Sequence, residues 1–198
     1  MQMSGNCYKV RLVSRQLGIA LALKDYPLHE GLTRRPEFLA KNPNGRVPLL
    51  ELDDGRCLAE SNAIISYLAD GSALVPKDAW ARAKMLEWMF FEQYSHEPFV
   101  AVARFWLAYA PRDELERKKH LVPEWHAKGD AALLVMETFL AKNDWFAGGR
   151  YSIGDIALYA YTHVADEGGF DLTRYPAICA WLKRVQEQPG YIPLSESW

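Results

Sequence analysis

The sequence predicts two structural classes in one chain: an α/β domain over residues 1–71 and an all-helical domain over residues 77–198. Three observations carry this. Up to Ala69, short apolar runs of strand type alternate with helix-type runs. The segment Asp70 to Asp78 holds Gly71, Ser72 and Pro76 and reads as a linker. Beyond it, long stretches keep helical spacing and no strand signal returns.

In the first domain, apolar Tyr8, Val10, Leu12, Val13 and Leu17 predict a helix over Cys7–Leu17, stopped by Gly18. Ile19, Leu21 and Leu23 alternate with Ala20, Ala22 and Lys24 and predict a strand. Thr33 to Lys41 predicts a short helix capped by Thr33. Val47–Leu52 and Arg56–Ala59 predict two strands joined by the turn Asp53-Asp54-Gly55. Ser61 predicts the cap of a helix reaching about Ala69. In the second domain four helices are predicted, over about 79–110, 122–142, 154–167 and 176–188. Gly148-Gly149 suits a turn, and Ser152-Ile153-Gly154-Asp155 is a capping box with Asp at its fourth position.

Bulk properties narrow the function. Among 198 residues, 49% are hydrophobic, enough for a packed core. The net charge of −2, with no long basic run, gives no sign of a nucleic-acid or membrane-surface partner. Arg117–Lys119 reads as a solvated helix face. The opening Met1-Gln2-Met3-Ser4-Gly5 lacks a secretory pattern, and no run approaches a membrane span. Three scattered cysteines make neither a disulfide framework nor a zinc site, which suits a reducing cytoplasm. The five histidines show no metal-ligand spacing, so no metal is expected.

Two segments carry chemistry. Pro48 opens an apolar strand, where a residue without an N–H needs an edge, a strand start or a bulge. Local sequence alone favours an ordinary trans bond there. About a dozen residues on, Glu60-Ser61 stands at a predicted helix start. Free N–H groups and the helix dipole there favour an anion, and Glu60 would accept from an ammonium group. An ordinary cap explains the pair equally simply. At the first helix, Ser4-Gly5-Asn6-Cys7 places a hydroxyl, an amide and a thiol where the dipole stabilises a thiolate. Asn6 reads either as a donor or as a cap. Cys7 reads either as a small core residue or as a thiol able to form a mixed disulfide.

Together, Val47-Pro48, the Asp-Gly hairpin and Glu60-Ser61-Asn62-Ala63-Ile64 resemble the glutathione site of the glutathione S-transferase family. The resemblance extends over the linker, the Ser152–Asp155 box and the final helix. It implies a thioredoxin-like fold for the first domain, with a cis Val47–Pro48 bond. It implies that the Val47-Pro48 backbone pairs with the cysteinyl part of glutathione and that Glu60 and Ser61 hold its γ-glutamyl end. The Ser4–Cys7 segment is similar to that of serine-type members, so Ser4 would donate to the glutathione thiolate, with Asn6 as a second donor. Lys41 and Arg46 would meet the glycyl carboxylate. The second substrate would bind between the domains, near Tyr94, His96, Arg104, Trp106 and Tyr109. A stripe of rings at helical spacing is also what a core looks like. A buried Arg104 would need a partner. Family members carry a full strand before the active segment. Here three residues precede Ser4, so that strand is a stub or the natural start lies earlier.

The implied activity is transfer of glutathione thiolate to a small hydrophobic electrophile, in a homodimer, with glutathione as co-substrate. Two alternatives stand beside it: a glutathione-dependent disulfide or peroxide reductase, and a non-catalytic binding protein of the same fold.

Overall fold

A computed structural model describes residues 1–27 and 30–196. Its contacts divide the chain into two units. The first holds the residues up to Val75 together with the C-terminal segment from Pro189; the second is Pro76–Gln188.

In the first unit, helix α1 spans Gly5–Leu17. It starts at Ser4, whose Oγ accepts from the Cys7 N–H at 3.3 Å, and ends at Gly18 in the left-handed conformation. Tyr8, Leu12 and Val13 are fully buried. The Tyr8 hydroxyl donates to the Ile192 carbonyl at 2.6 Å, and Arg11 donates to the carbonyls of Leu194 and Glu196 at 3.0 and 3.1 Å. These bonds attach the C-terminal segment to the first unit, whereas the sequence placed it with the helical domain. Local spacing carries no trace of bonds that span the whole chain.

The strand predicted over 19–24 does not form. Its alternating pattern specifies a face, but a strand also needs a partner for its backbone. A cavity of about 440 Å³ lies against it, lined among others by Val10, Leu21, Phe38, Leu49, Leu50 and Ile64. Met1–Met3 form no strand either. Thr33 caps nothing: a 3₁₀ turn covers Leu32–Arg34, and helix α2 is only Pro36–Leu39, entered from Arg35. Pro36 starts that helix because its missing N–H has no partner to lose there.

Strands β1 (Leu49–Glu51) and β2 (Cys57–Ala59) pair antiparallel, with Leu50 opposite Leu58. Gly55 closes the turn at φ 84°. Both strands are shorter than predicted. Pro48 cannot join a ladder, and the Arg56 N–H is taken by Asp54 Oδ1 at 3.0 Å. Helix α3 (Ser61–Leu68) packs on α1 through the fully buried Ile64 and Ile65.

In the second unit, the pattern over 79–110 resolves into α4 (Ala79–Phe91), a π-helical stretch (Glu92–His96), α5 (Glu97–Arg104) and a second π-helical stretch (Phe105–Tyr109). Pro98 accounts for the first widening. It cannot make an α-helical hydrogen bond back along the helix, and the wider turn just before it absorbs the loss. Helix α6 (Arg112–Lys118) was not predicted, since it has no buried residue to give it a periodic face. Helices α7 (Val122–Leu140), α8 (Ile153–Thr162) and α9 (Pro176–Gln186) follow.

Every residue of α8 is buried. Trp88, Phe146 and Trp181 pack beside it, with ring centroids 4.5 and 5.2 Å apart along that series. Asp155 makes the predicted capping box and does more. It accepts from the backbone N–H of Ser152 (3.0 Å) and of Phe146 (3.2 Å), from the Ser152 hydroxyl (3.1 Å) and from Trp181 Nε1 (3.1 Å). Burial nevertheless outweighs these donors and pushes its carboxyl up to about 6.

Candidate functional site

The starts of α1 and α3 come together. Ser61 is the first residue of α3 rather than its cap. Glu60 holds the cap position, and no side chain caps the helix. Glu60 is exposed, and its backbone is at φ 68°, ψ 115°, outside the regions that a residue with a Cβ ordinarily adopts. Glu60 thus stands at a helix N-terminus that no side chain caps. Ser61 is buried, and its hydroxyl donates to Asn6 Oδ1 at 3.1 Å. The Lys9 ammonium donates to Ser61 Oγ at 3.3 Å and to Asn62 Oδ1 at 3.2 Å. Sequence reasoning missed Lys9. Its signal was a lysine between Tyr8 and Val10 on a helix whose neighbours are all core.

The cap of α1 is Ser4, so Asn6 is freed from that role. Ser4 caps with its lone pairs and keeps its own O–H as a donor. Cys7 Sγ is raised above the usual thiol range, chiefly by burial, against a lowering by its hydrogen bond with Ser4. It therefore stays a thiol, which is a poor nucleophile.

The Val47–Pro48 bond is cis, as the resemblance implies. Buried Asn42, not singled out from the sequence, shapes the loop before it: its Nδ2 donates to the Arg46 carbonyl at 2.8 Å, and its Oδ1 accepts from Asn44 N at 3.1 Å. An Asn two residues before its acceptor contact is the local signal that could have shown this. Arg46 and Lys41 are both exposed. Lys41 pairs with Glu51 at 2.7 Å, and that carboxylate holds its ammonium above the usual range.

The residues singled out in the second unit differ in setting. Tyr94 is 85% exposed on the first π-helical stretch. Trp106 stacks on Trp125 at 6.3 Å. His96 is fully buried, with its Nε2 3.0 Å from Thr162 Oγ1. Arg104 is buried and has the partner its burial demands. Its Nε donates to Glu167 Oε2 at 2.9 Å and its Nη2 to the Tyr109 hydroxyl at 2.8 Å, and that hydroxyl donates to the same Glu167 oxygen at 2.7 Å. Gly168 makes room for this, since a Cβ there would come within 2.9 Å of the Arg104 backbone nitrogen. Arg104 and Tyr109 thus use their polar groups on Glu167, which the sequence did not suggest.

Residues 3–70 match the family described as glutathione S-transferase, N-terminal domain, and residues 90–189 match its C-terminal domain. The chain belongs to the glutathione S-transferase family. A glutathione S-transferase-like protein, LUC7, from Fusarium is 31% identical, with 93% of this chain and 85% of that one covered. A glutathione S-transferase structure from Pseudomonas fluorescens is 50% identical with a TM-score of 0.94, covering 98% of this chain and 96% of that one. A possible glutathione S-transferase from Rhodopseudomonas palustris is 49% identical with a TM-score of 0.95, covering 100% and 88%. The glutathione S-transferase fold, thioredoxin-like and then helical, is therefore that of this chain. Among the described residues its sheet has two strands, and no helix is long and apolar enough to cross a membrane.

Proposed function

We propose that this member of the glutathione S-transferase family is a glutathione transferase that joins the glutathione thiolate to small hydrophobic electrophiles. One observation carries the proposal: the contact between Ser61 and Asn6, which brings the anion-favouring start of α3 to the thiol-favouring start of α1. The γ-glutamyl carboxylate meets Ser61 and the N–H groups of α3, and the α-ammonium meets Glu60. The Val47-Pro48 backbone pairs with the cysteinyl part. Arg46 meets the glycyl carboxylate, and Lys41 joins it by leaving Glu51. The sulfur then faces the Ser4 hydroxyl, with the Asn6 amide as second donor.

Both donors and the α1 dipole favour the thiolate over the thiol, so the proton leaves to solvent without a strong protein base. The sulfur pair then forms a C–S bond as the leaving group departs with its own pair, in a reaction made effectively unimolecular by holding both reactants. Tyr94, Arg104, Trp106 and Tyr109 are proposed for the second substrate, with the Glu167-bound pair as rigid framing and Trp106 as ring surface. A homodimer is proposed as well, supported by the exposed Leu86 and Phe90 one turn apart on α4. The three free cysteines suit a cytoplasmic location.

Retention on immobilised glutathione, with conjugation of an aryl halide measured beside glutathione–disulfide exchange, tests the proposal. Failure to be retained sinks it, and exchange without conjugation replaces it by the reductase alternative.

Two substitutions refine the roles. Ser4→Ala is expected to raise the pKa of the bound glutathione thiol and to slow conjugation about tenfold or more, as losing a hydrogen bond to a charged group does. It also removes the α1 cap, at about 1 kcal/mol of stability. An unchanged rate in a stopped-flow assay would pass the role to Asn6. Cys7→Ser is expected to leave conjugation within about twofold, because desolvation holds the Cys7 thiol above its usual range and keeps it protonated. A large loss would favour a mixed disulfide at Cys7.

A further inference from the structure

Lys9 is a residue on these two helices that packing does not account for. It is fully buried in a stretch where Tyr8, Leu12 and Val13 fill the core. Methionine would fill the same volume without desolvating an ammonium group, which is costly in a protein interior. The Lys9 charge lies at the N-terminus of α3, where the helix dipole is already positive. Two like-signed sources at one point favour an anion beside them.

The hydrogen bonds add a direction. An ammonium group can only donate, so Ser61 Oγ and Asn62 Oδ1 must accept from Lys9. The single O–H of Ser61 is then directed at Asn6, whose Oδ1 accepts it at 3.1 Å. With its oxygen turned to Ser61, the Asn6 amide presents its NH₂ group on its other side. A donor-only group at one end therefore sets the polarity of the chain Lys9–Ser61–Asn6. A neutral side chain able to accept at Lys9 would let it reverse.

We propose that Lys9 is a positioning residue of the glutathione site, strengthening carboxylate binding at the backbone N–H groups that open α3 and fixing Asn6 as a donor toward the thiol. The proposal rests on the glutathione reading above. It predicts that one substitution far along α1 from Ser4 alters both ends of the ligand site: affinity through the carboxylate and thiol acidity through Asn6.

The test uses the full chain. In Lys9→Met, glutathione affinity by calorimetry is expected to fall about tenfold or more. The pH profile of kcat/KM is expected to shift to the alkaline side, with ultraviolet absorbance of the bound thiolate following it. Lys9→Arg, which keeps a donor-only cation, is expected to recover part of both. A folded Lys9→Met with affinity within twofold and an unmoved pH profile overturns the proposal. If circular dichroism shows Lys9→Met unfolded, Lys9→Gln decides by the same two readouts, since it is neutral and able to accept: unchanged values overturn the proposal, and a loss in both supports it. If the native chain itself ignores glutathione, the glutathione reading fails and the role of Lys9 goes with it. Native binding with an unaffected Lys9 variant removes this proposal alone.

Discussion

Asp155→Ala is expected to lower the unfolding free energy by about 3–5 kcal/mol, the range seen when a buried hydrogen-bond network is broken. Four donors meet on this carboxylate, from Ser152, Phe146 and Trp181. Alanine leaves them buried without their acceptor, and each such orphan costs about 1–3 kcal/mol. Urea unfolding followed by tryptophan fluorescence measures the loss; a change below about 1 kcal/mol would mean that water replaces the carboxylate.

The same variant has a pH signature. The folded carboxyl titrates at about 6, above its unfolded value of 3.8, so the native state binds the extra proton between these values. This group's contribution therefore falls as pH rises from about 4 to 6. His163 runs the other way. Burial lowers its pKa from 6.5 to about 4, so the unfolded state binds the extra proton and its contribution rises from about 4 to 6.5. In the native chain the two slopes oppose each other. In Asp155→Ala only the His163 slope remains, and stability should climb with pH across that window.

Loss of glutathione binding is expected from the double variant Glu60→Ala, Ser61→Ala, with affinity down about a hundredfold or more. Losing the Glu60 bond to the ammonium costs about 1.5–3 kcal/mol, and losing the Ser61 link to Lys9 and Asn6 adds to it. Neither side chain caps α3, but Ser61→Ala also takes a buried partner from Lys9 and Asn6, so a loss of stability of about 1–3 kcal/mol is expected beside the loss of binding. Calorimetric titration with glutathione separates the two. Undiminished binding would refute the γ-glutamyl assignment and leave the role of the Ser61–Asn6 contact to be sought elsewhere.

Legibility followed the range of the interactions. The α1 stop at Gly18, the hairpin turn at Gly55 and the Ser152–Asp155 box rest on neighbours a few residues apart, and short patterns carry them. The pairing of Arg104 with Glu167, the attachment of Ile192 and Leu194 to α1 and the seat of Lys9 depend on residues far apart in sequence, and no local pattern encodes them. The failed strand at 19–24 shows the same limit from the other side, because its alternation was present while its partner was not. At the candidate site, residue types were readable and roles less so. Asn6 and Ser61 both suggested helix caps and neither is one: Ser4 caps α1, and the backbone before Ser61 turns at Glu60 into a conformation that no residue pattern announces.

That conformation bears on how the chain would respond to selection for heat resistance. Glycine tolerates the Glu60 backbone at φ 68°, and strain of this kind costs about 1–3 kcal/mol in other residues. Glu60→Gly is therefore expected to raise the melting temperature in a calorimetric scan while weakening glutathione binding; an unchanged or lower value would show the turn to be unstrained. A screen on stability alone would discard this carboxylate early, and a screen that also demanded the ligand would keep it. On the proposed reading, the glutamate at this turn trades some firmness of the fold for its hold on the ligand.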